Sequence, residues 1–147
     1  MRVVIDTNLL IDGAGDDFNY GNRIIDEVIA GRVQVFANRA TLKENRLLAS
    51  LKIKDVKYLE KLEEFFNAIK QVKSDKRLNI VEDKEDNKLV ESAVTAKVDF
   101  LISADRHLLK LEKYGRIQMV TPQEFWNKYE DQSGNAWKNW VDQFIRQ

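Results

Sequence analysis

The chain reads as an α/β protein of a single domain, a three-layer α/β/α sandwich on a mainly parallel central sheet. Three observations point there. Valine- and isoleucine-rich runs too short for helices alternate with stretches of helical periodicity along the chain. The 147 residues make one compact domain and are short for two. Neither an internal repeat nor a low-complexity segment interrupts the alternation.

Arg2 to Asp6 (RVVID) is the first strand, with Asp6 at its end. A polar loop over Asp12 to Asp17 leads into a helix from about Phe18 to Ala30, and Gly31 stands where a C-terminal cap is wanted. Val33 to Ala37 is the second strand. Asn38 caps a helix reaching about Ser50, and Asp55 caps the next, in which Val56, Leu59, Leu62, Phe66 and Ile69 form one apolar face.

Asn79 to Val81 is expected as the third strand. A helix beginning near Asp86 then turns Leu89, Val90, Ala93 and Val94 inward, and Asp99 to Ser103 (DFLIS) forms the fourth strand. A short helix over Arg106 to Glu112 precedes the fifth, Ile117 to Val120. Thr121, Pro122 and Glu124 form a capping box with proline at the first helical position. Glu130 to Gly134 is expected as a linker, dividing a main domain, residues 1–130, from an amphipathic helical tail, residues 131–147. Trp137, Trp140, Val141, Phe144 and Ile145 fall on one face of that tail. So short a helix persists only if the face is buried, on its own domain, on a second copy or on a partner protein.

Composition removes several classes of chemistry. With no cysteine, disulfides, thiolate metal sites and cysteine nucleophiles are excluded, and a single histidine, His107, argues against zinc hydrolases and a Ser-His-Asp triad. Hydrophobic residues at 44% and charged residues at 33% are an ordinary globular balance. Lys+Arg and Asp+Glu are equal at 24 each, so any surface for nucleic acid must be a local one. No apolar run approaches the length of about 18 residues needed to cross a membrane, and no signal-peptide pattern opens the chain, so a soluble, cytoplasmic protein with no membrane partner is expected.

In an open parallel sheet, ligands bind beyond the carboxyl ends of the strands. Asp6 closes the first strand there, Asp105 follows the fourth, and Asp86 lies in the first turn of the helix after the third. Glu44 stands about two turns into the helix after the second strand. Each residue alone has a plainer reading: Asp6 an Asx turn, Asp105 a helix cap, Asp86 a partner of a helix dipole, Glu44 a solvated charge. Together, four carboxylates at one sheet edge repel one another unless a cation joins them. A donor set of oxygen alone favours Mg²⁺ or Mn²⁺, and such ions serve phosphodiester hydrolysis without a covalent nucleophile.

From Met1 to about Tyr129 the chain resembles the PIN-domain family. VVIDTNLLI resembles its first strand with the Asp and the Asn two positions on. EDKEDNKLVESAVTAKVDFLISADRHLL resembles its second half, and VTPQEFW the ending of its VapC-like toxin subgroup. The resemblance implies a metal-dependent endoribonuclease, commonly the toxin of a toxin–antitoxin pair and commonly a dimer. It places Asp6, Glu44, Asp86 and Asp105 at the acidic catalytic positions, the three aspartates as metal ligands. Asn8 then orients the first Asp, and Ser103 is the small hydroxyl residue before the last. Asp83 competes with Asp86 as third ligand, and Asn87 stands where related chains carry an acid.

RNA is thus the expected substrate, with a homodimer and an antitoxin protein as expected partners. Lys43, Arg46, Lys52, Lys54, Lys57 and Lys61 offer a basic rim for phosphates, diluted by Asp55, Glu60, Glu63 and Glu64. The competing readings are a scaffold that binds RNA or protein without cutting, and an RNA-processing nuclease that is not a toxin. An aspartate-based phosphatase would want a second Asp where Asn8 stands, and a dinucleotide enzyme a glycine-rich turn where Thr7 to Leu10 is bulky.

Overall fold

The computed structural model describes residues 1–12 and 19–145. Its six-stranded sheet has the order β3-β2-β1-β4-β6-β5. The strands are β1 (Arg2–Ile5), β2 (Gln34–Ala37), β3 (Lys70–Gln71), β4 (Phe100–Ile102), β5 (Lys113–Tyr114) and β6 (Ile117–Val120). All pairings are parallel except β5 with β6. The helices are α1 (Asn8–Asp12), α2 (Tyr20–Ile29), α3 (Arg39–Lys52), α4 (Val56–Ala68), α5 (Lys84–Ala96), α6 (Arg106–Leu109) and α7 (Pro122–Ile145).

Alternation along the strands sorts side chains onto two cores, one on each face. Val3, Val35, Phe100 and Ile102 pack with α2, α4 and α7 through Ile24, Ile25, Leu62, Phe65 and Phe125. Val4, Phe36 and Leu101 pack on the other face with Leu89, Val90 and Ala93 of α5 and with Leu108 of α6. The architecture is therefore the three-layer sandwich expected.

The predicted caps form. Asn38 accepts from the Thr41 amide at 2.7 Å, Asp55 from Lys57 at 3.0 Å, and Thr121 Oγ1 from Glu124 at 3.1 Å. Gly31, at φ +82°, turns the chain out of α2 in a conformation that a side chain would strain.

Several expectations are corrected. The third strand is Lys70–Gln71, not Asn79 to Val81. The amides of Ile80 and Val81 are bonded by the Asn87 side chain instead of a neighbouring strand. Residues 8–12, for which the sequence predicts no element, form α1, and the loop expected over Asp12 to Asp17 lies, beyond Asp12, outside the described residues. The helix expected to reach Glu112 stops at Leu109, because the chain turns through Glu112 at φ 58° into the β5–β6 hairpin. Val56 is exposed, and Tyr58 and Phe65 replace it on the buried face of α4. The stretch 130–134, expected as a linker, lies inside α7, which continues without a break to Ile145. The side chains of Trp137 and Trp140 fall outside the described residues, as does Phe18; Phe144 and Ile145 are exposed. No helix of the described residues is long and apolar enough to cross a membrane.

Candidate metal centre

The cleft lies at the carboxyl ends of β1 and β4, the two central strands, where α1, α3, α5 and α6 begin or pass. Asp6 follows β1 directly, and its backbone N–H donates to Ile102 O at 2.9 Å, so it continues the ladder to β4. Its carboxylate is buried and held on both oxygens. Ser103 Oγ donates to Oδ2 at 2.8 Å, and the Asn8 backbone N–H donates to Oδ1 at 3.3 Å. Ser103, fully buried, also accepts from the Asp105 N–H at 2.9 Å and so ties the two aspartates together. The contact from Asn8 to Asp6 is made by its main chain, while its own side chain is exposed at the cleft.

Asp86 sits in the first turn of α5 and is buried. Its Oδ2 has no hydrogen-bond partner. Burial first, then repulsion from Asp105 and Asp83, a hydrogen bond shared with the Asp105 side chain when Asp86 is protonated, and more weakly repulsion from Asp6, push its carboxyl up to about 7. A buried carboxylate oxygen without a donor, facing other carboxylates, is costly unless it is protonated or meets a cation. Glu44, on α3, is exposed and stands at the rim. Asp6, Glu44, Asp86 and Asp105 all line one cleft of about 190 Å³.

The plainer readings hold beside this arrangement. Asp105 caps α6 by accepting from the His107 amide at 2.8 Å. Asp83 caps α5, accepting from Glu85 N at 2.8 Å, yet still reaches the cleft wall. Asp86 is thus the deeper of the two acids that compete for the third position. Asn87 turns away from the cleft. Its Oδ1 accepts from Ile80 and Val81, and its Nδ2 donates to Val81 O at 2.8 Å, which fixes the segment ahead of α5.

Two cleft residues escaped the sequence reading. Thr7 Oγ1 donates to Asn45 Oδ1, which joins the start of α1 to the buried face of α3. Asn45 follows Glu44, and a polar residue on the inward stripe of a helix is the signal that marks it. Of the expected basic rim, Arg46 is bound by Glu63 at 2.7 Å and Lys61 by Asp26 at 2.6 Å.

The all-oxygen donor set and the orphaned Asp86 oxygen fit a hard divalent cation. Asp6, Asp86 and Asp105 are the residues that would hold it. Among the described residues, no three His, Asp or Glu side chains already stand as a finished ligand set. The carboxylates wall a cleft rather than close a cage.

The family model for the PIN domain matches residues 2–107, which span β1 to α6 and every carboxylate of the cleft. Comparison with curated proteins and with solved structures gives no match. PIN domains are generally nucleases, hydrolases that typically use divalent metals. With that match over most of its length and the sheet and acidic cleft just described, the chain belongs to the PIN-domain family.

Proposed function

We propose that this chain is a Mg²⁺- or Mn²⁺-dependent endoribonuclease acting in the cytoplasm, with Asp6, Glu44, Asp86 and Asp105 as its catalytic carboxylates. The observation behind it is the gathering of all four on one cleft around a buried, unpartnered Asp86 oxygen. When bound, a divalent cation supplies neutralisation of phosphate charge and acidification of water.

The chain's own residues do the rest. Ser103 and the Asn8 amide hold the Asp6 carboxylate in one orientation, aimed by the rigid end of β1. Ser103 fixes the Asp105 backbone by the same hydroxyl. Asp86, its carboxyl pushed up to about 7, holds or releases a proton close to neutral pH. Glu44, exposed at the rim, is placed to meet water or substrate from the solvent side.

The finer biological reading is the toxin of a toxin–antitoxin pair, supported by the three sequence motifs in their order and spacing. We propose further that the chain is a homodimer and has an antitoxin partner, supported by the exposed Ile145 on α7. A scaffold that holds RNA without cutting it is the second reading, favoured by one observation, the lack of a finished ligand set among the described residues.

Incubating the purified chain with single-stranded RNA, in Mg²⁺ or Mn²⁺ and in EDTA, separates the two. Cutting that depends on the ion supports the nuclease, and binding without cutting supports the scaffold. Growth arrest on expression, relieved by the product of a short adjoining reading frame, tests the toxin role.

A further inference from the structure

Three cavities follow one another along α3. The acidic cleft is the middle one, reached by Thr41, Asn45 and Leu48 of that helix. At the C-terminal end of α3 lies a cavity of about 410 Å³, which shares Asp6, Asn8 and Asp105 with the cleft and adds Ile11 and Lys52. At the N-terminal end lies one of about 580 Å³, with Arg39, Lys73 and Lys88 in its wall. Ala40 lines this last cavity and Thr41 the cleft.

We propose that single-stranded RNA lies along α3, with one backbone phosphate at Lys52 and another at Arg39 and Lys73, on opposite sides of the acidic centre. This rests on the nuclease reading above and adds where the substrate runs. Thr41, Asn45, Leu48 and Lys52 are spaced by four, three and four residues, so they form one stripe of the helix and Lys52 extends the cleft wall. The 14 residues of α3 span roughly 20 Å, long enough for several nucleotides.

Charge decides the path. A phosphate chain is repelled by Glu44, Asp83, Glu85 and Asp86 wherever no cation compensates them, and a chain of zero net charge has no general field to overcome that. Compensation must be local, and it stands at the two ends of the helix. Arg39, Lys52 and Lys73 are exposed and form no ion pair among the described residues, whereas Arg46 and Lys61 of the same surface are neutralised by Glu63 and Asp26. In the N-terminal cavity Lys88 is paired with Glu85 at 3.0 Å, and Glu91 accepts from the Leu78 amide. Arg39 and Lys73 are therefore its uncommitted cations. Leu48 in the middle cleft and Ile11 in the cavity beside it give the bases of a single strand apolar surface.

The test is binding of a labelled, uridine-rich single-stranded oligoribonucleotide to the full chain in EDTA, read by fluorescence anisotropy at several salt concentrations. Lys52→Ala and Arg39→Ala should each weaken binding several-fold and lower the slope of log affinity against log salt by roughly 0.7. Lys128→Ala, an equal loss of charge on exposed α7 surface, should change neither. Wild-type affinity and slope in both cleft variants would overturn the path. The nuclease reading fails separately, by an absence of cutting with either ion.

Discussion

Ser103 and Asp6, 97 residues apart, are joined by a 2.8 Å hydrogen bond from the serine hydroxyl to Oδ2. The same hydroxyl accepts from the Asp105 amide, so one buried side chain ties the Asp6 carboxylate, after β1, to the Asp105 backbone, after β4. Ser103→Ala should leave a buried carboxylate oxygen and a backbone N–H without partners. We expect a loss of about 1–3 kcal/mol in urea unfolding and a fall in nuclease rate larger than the loss of stability explains.

The pH response of the ion-free protein follows from Asp86. Its carboxyl lies near 7 in the folded chain, against 3.8 for an ordinary one. Between those values the folded state keeps a proton that the unfolded state has released. The contribution of this group to stability is therefore complete below about 4 and is lost as the pH rises towards 7. Melting in EDTA across that window should show wild type losing stability relative to Asp86→Asn; a constant difference between the two contradicts the assignment.

Divalent ions should reverse this loss. Mg²⁺ or Mn²⁺ that binds the folded chain raises its melting temperature in proportion to the logarithm of ion concentration. Asp86→Asn should melt higher than wild type without ions at pH 8 and gain little from them. Asp6 is the poorer choice for this comparison, because its charge already has two donors. Thermal melts with and without Mn²⁺ decide it.

Asn87 offers a test of how the cleft is positioned. Its side chain makes three hydrogen bonds to residues 80 and 81, and Asn87→Ala leaves those backbone groups unpaired. A loss of about 2–3 kcal/mol is expected, with weaker ion binding because the segment leading into α5 is released. Denaturant unfolding and ion titration of the variant read both effects.

Most of the sheet was legible, and the exceptions share a cause. β1, β2, β4 and β6 are mostly apolar runs with at least two buried side chains each, so their signal is strong. β3 and β5 have two residues each and no fully buried side chain, which leaves an edge strand without hydrophobic pattern. α1 is too short for periodicity, and α7 passes through Gly134, a residue that reads as a break in the sequence. At the site, the carboxylates announced themselves as charges at strand ends. The Thr7–Asn45 bond and the role of Asn87 did not, because each depends on which distant backbone the fold brings near.

The C-terminal half of α7 tests the assembly. Phe125, Trp126 and Tyr129 seat the helix on the core, while Phe144 and Ile145 stand exposed at its far end. Removing residues 135–147 should leave melting nearly unchanged and convert a dimer to a monomer by mass in solution. An unchanged mass would place any dimer contact elsewhere.

Cleavage of end-labelled single-stranded RNA by the purified chain tests the central claim most directly, when Mn²⁺ is compared with EDTA and wild type with Asp6→Asn, Asp86→Asn and Asp105→Asn. Internal cuts are expected with Mn²⁺ alone, with a loss of at least about 100-fold in each variant, about 2.7 kcal/mol or more of barrier, while all three remain folded by circular dichroism. Cutting that persists in EDTA, or in a folded Asp105→Asn chain at the wild-type rate, would contradict it.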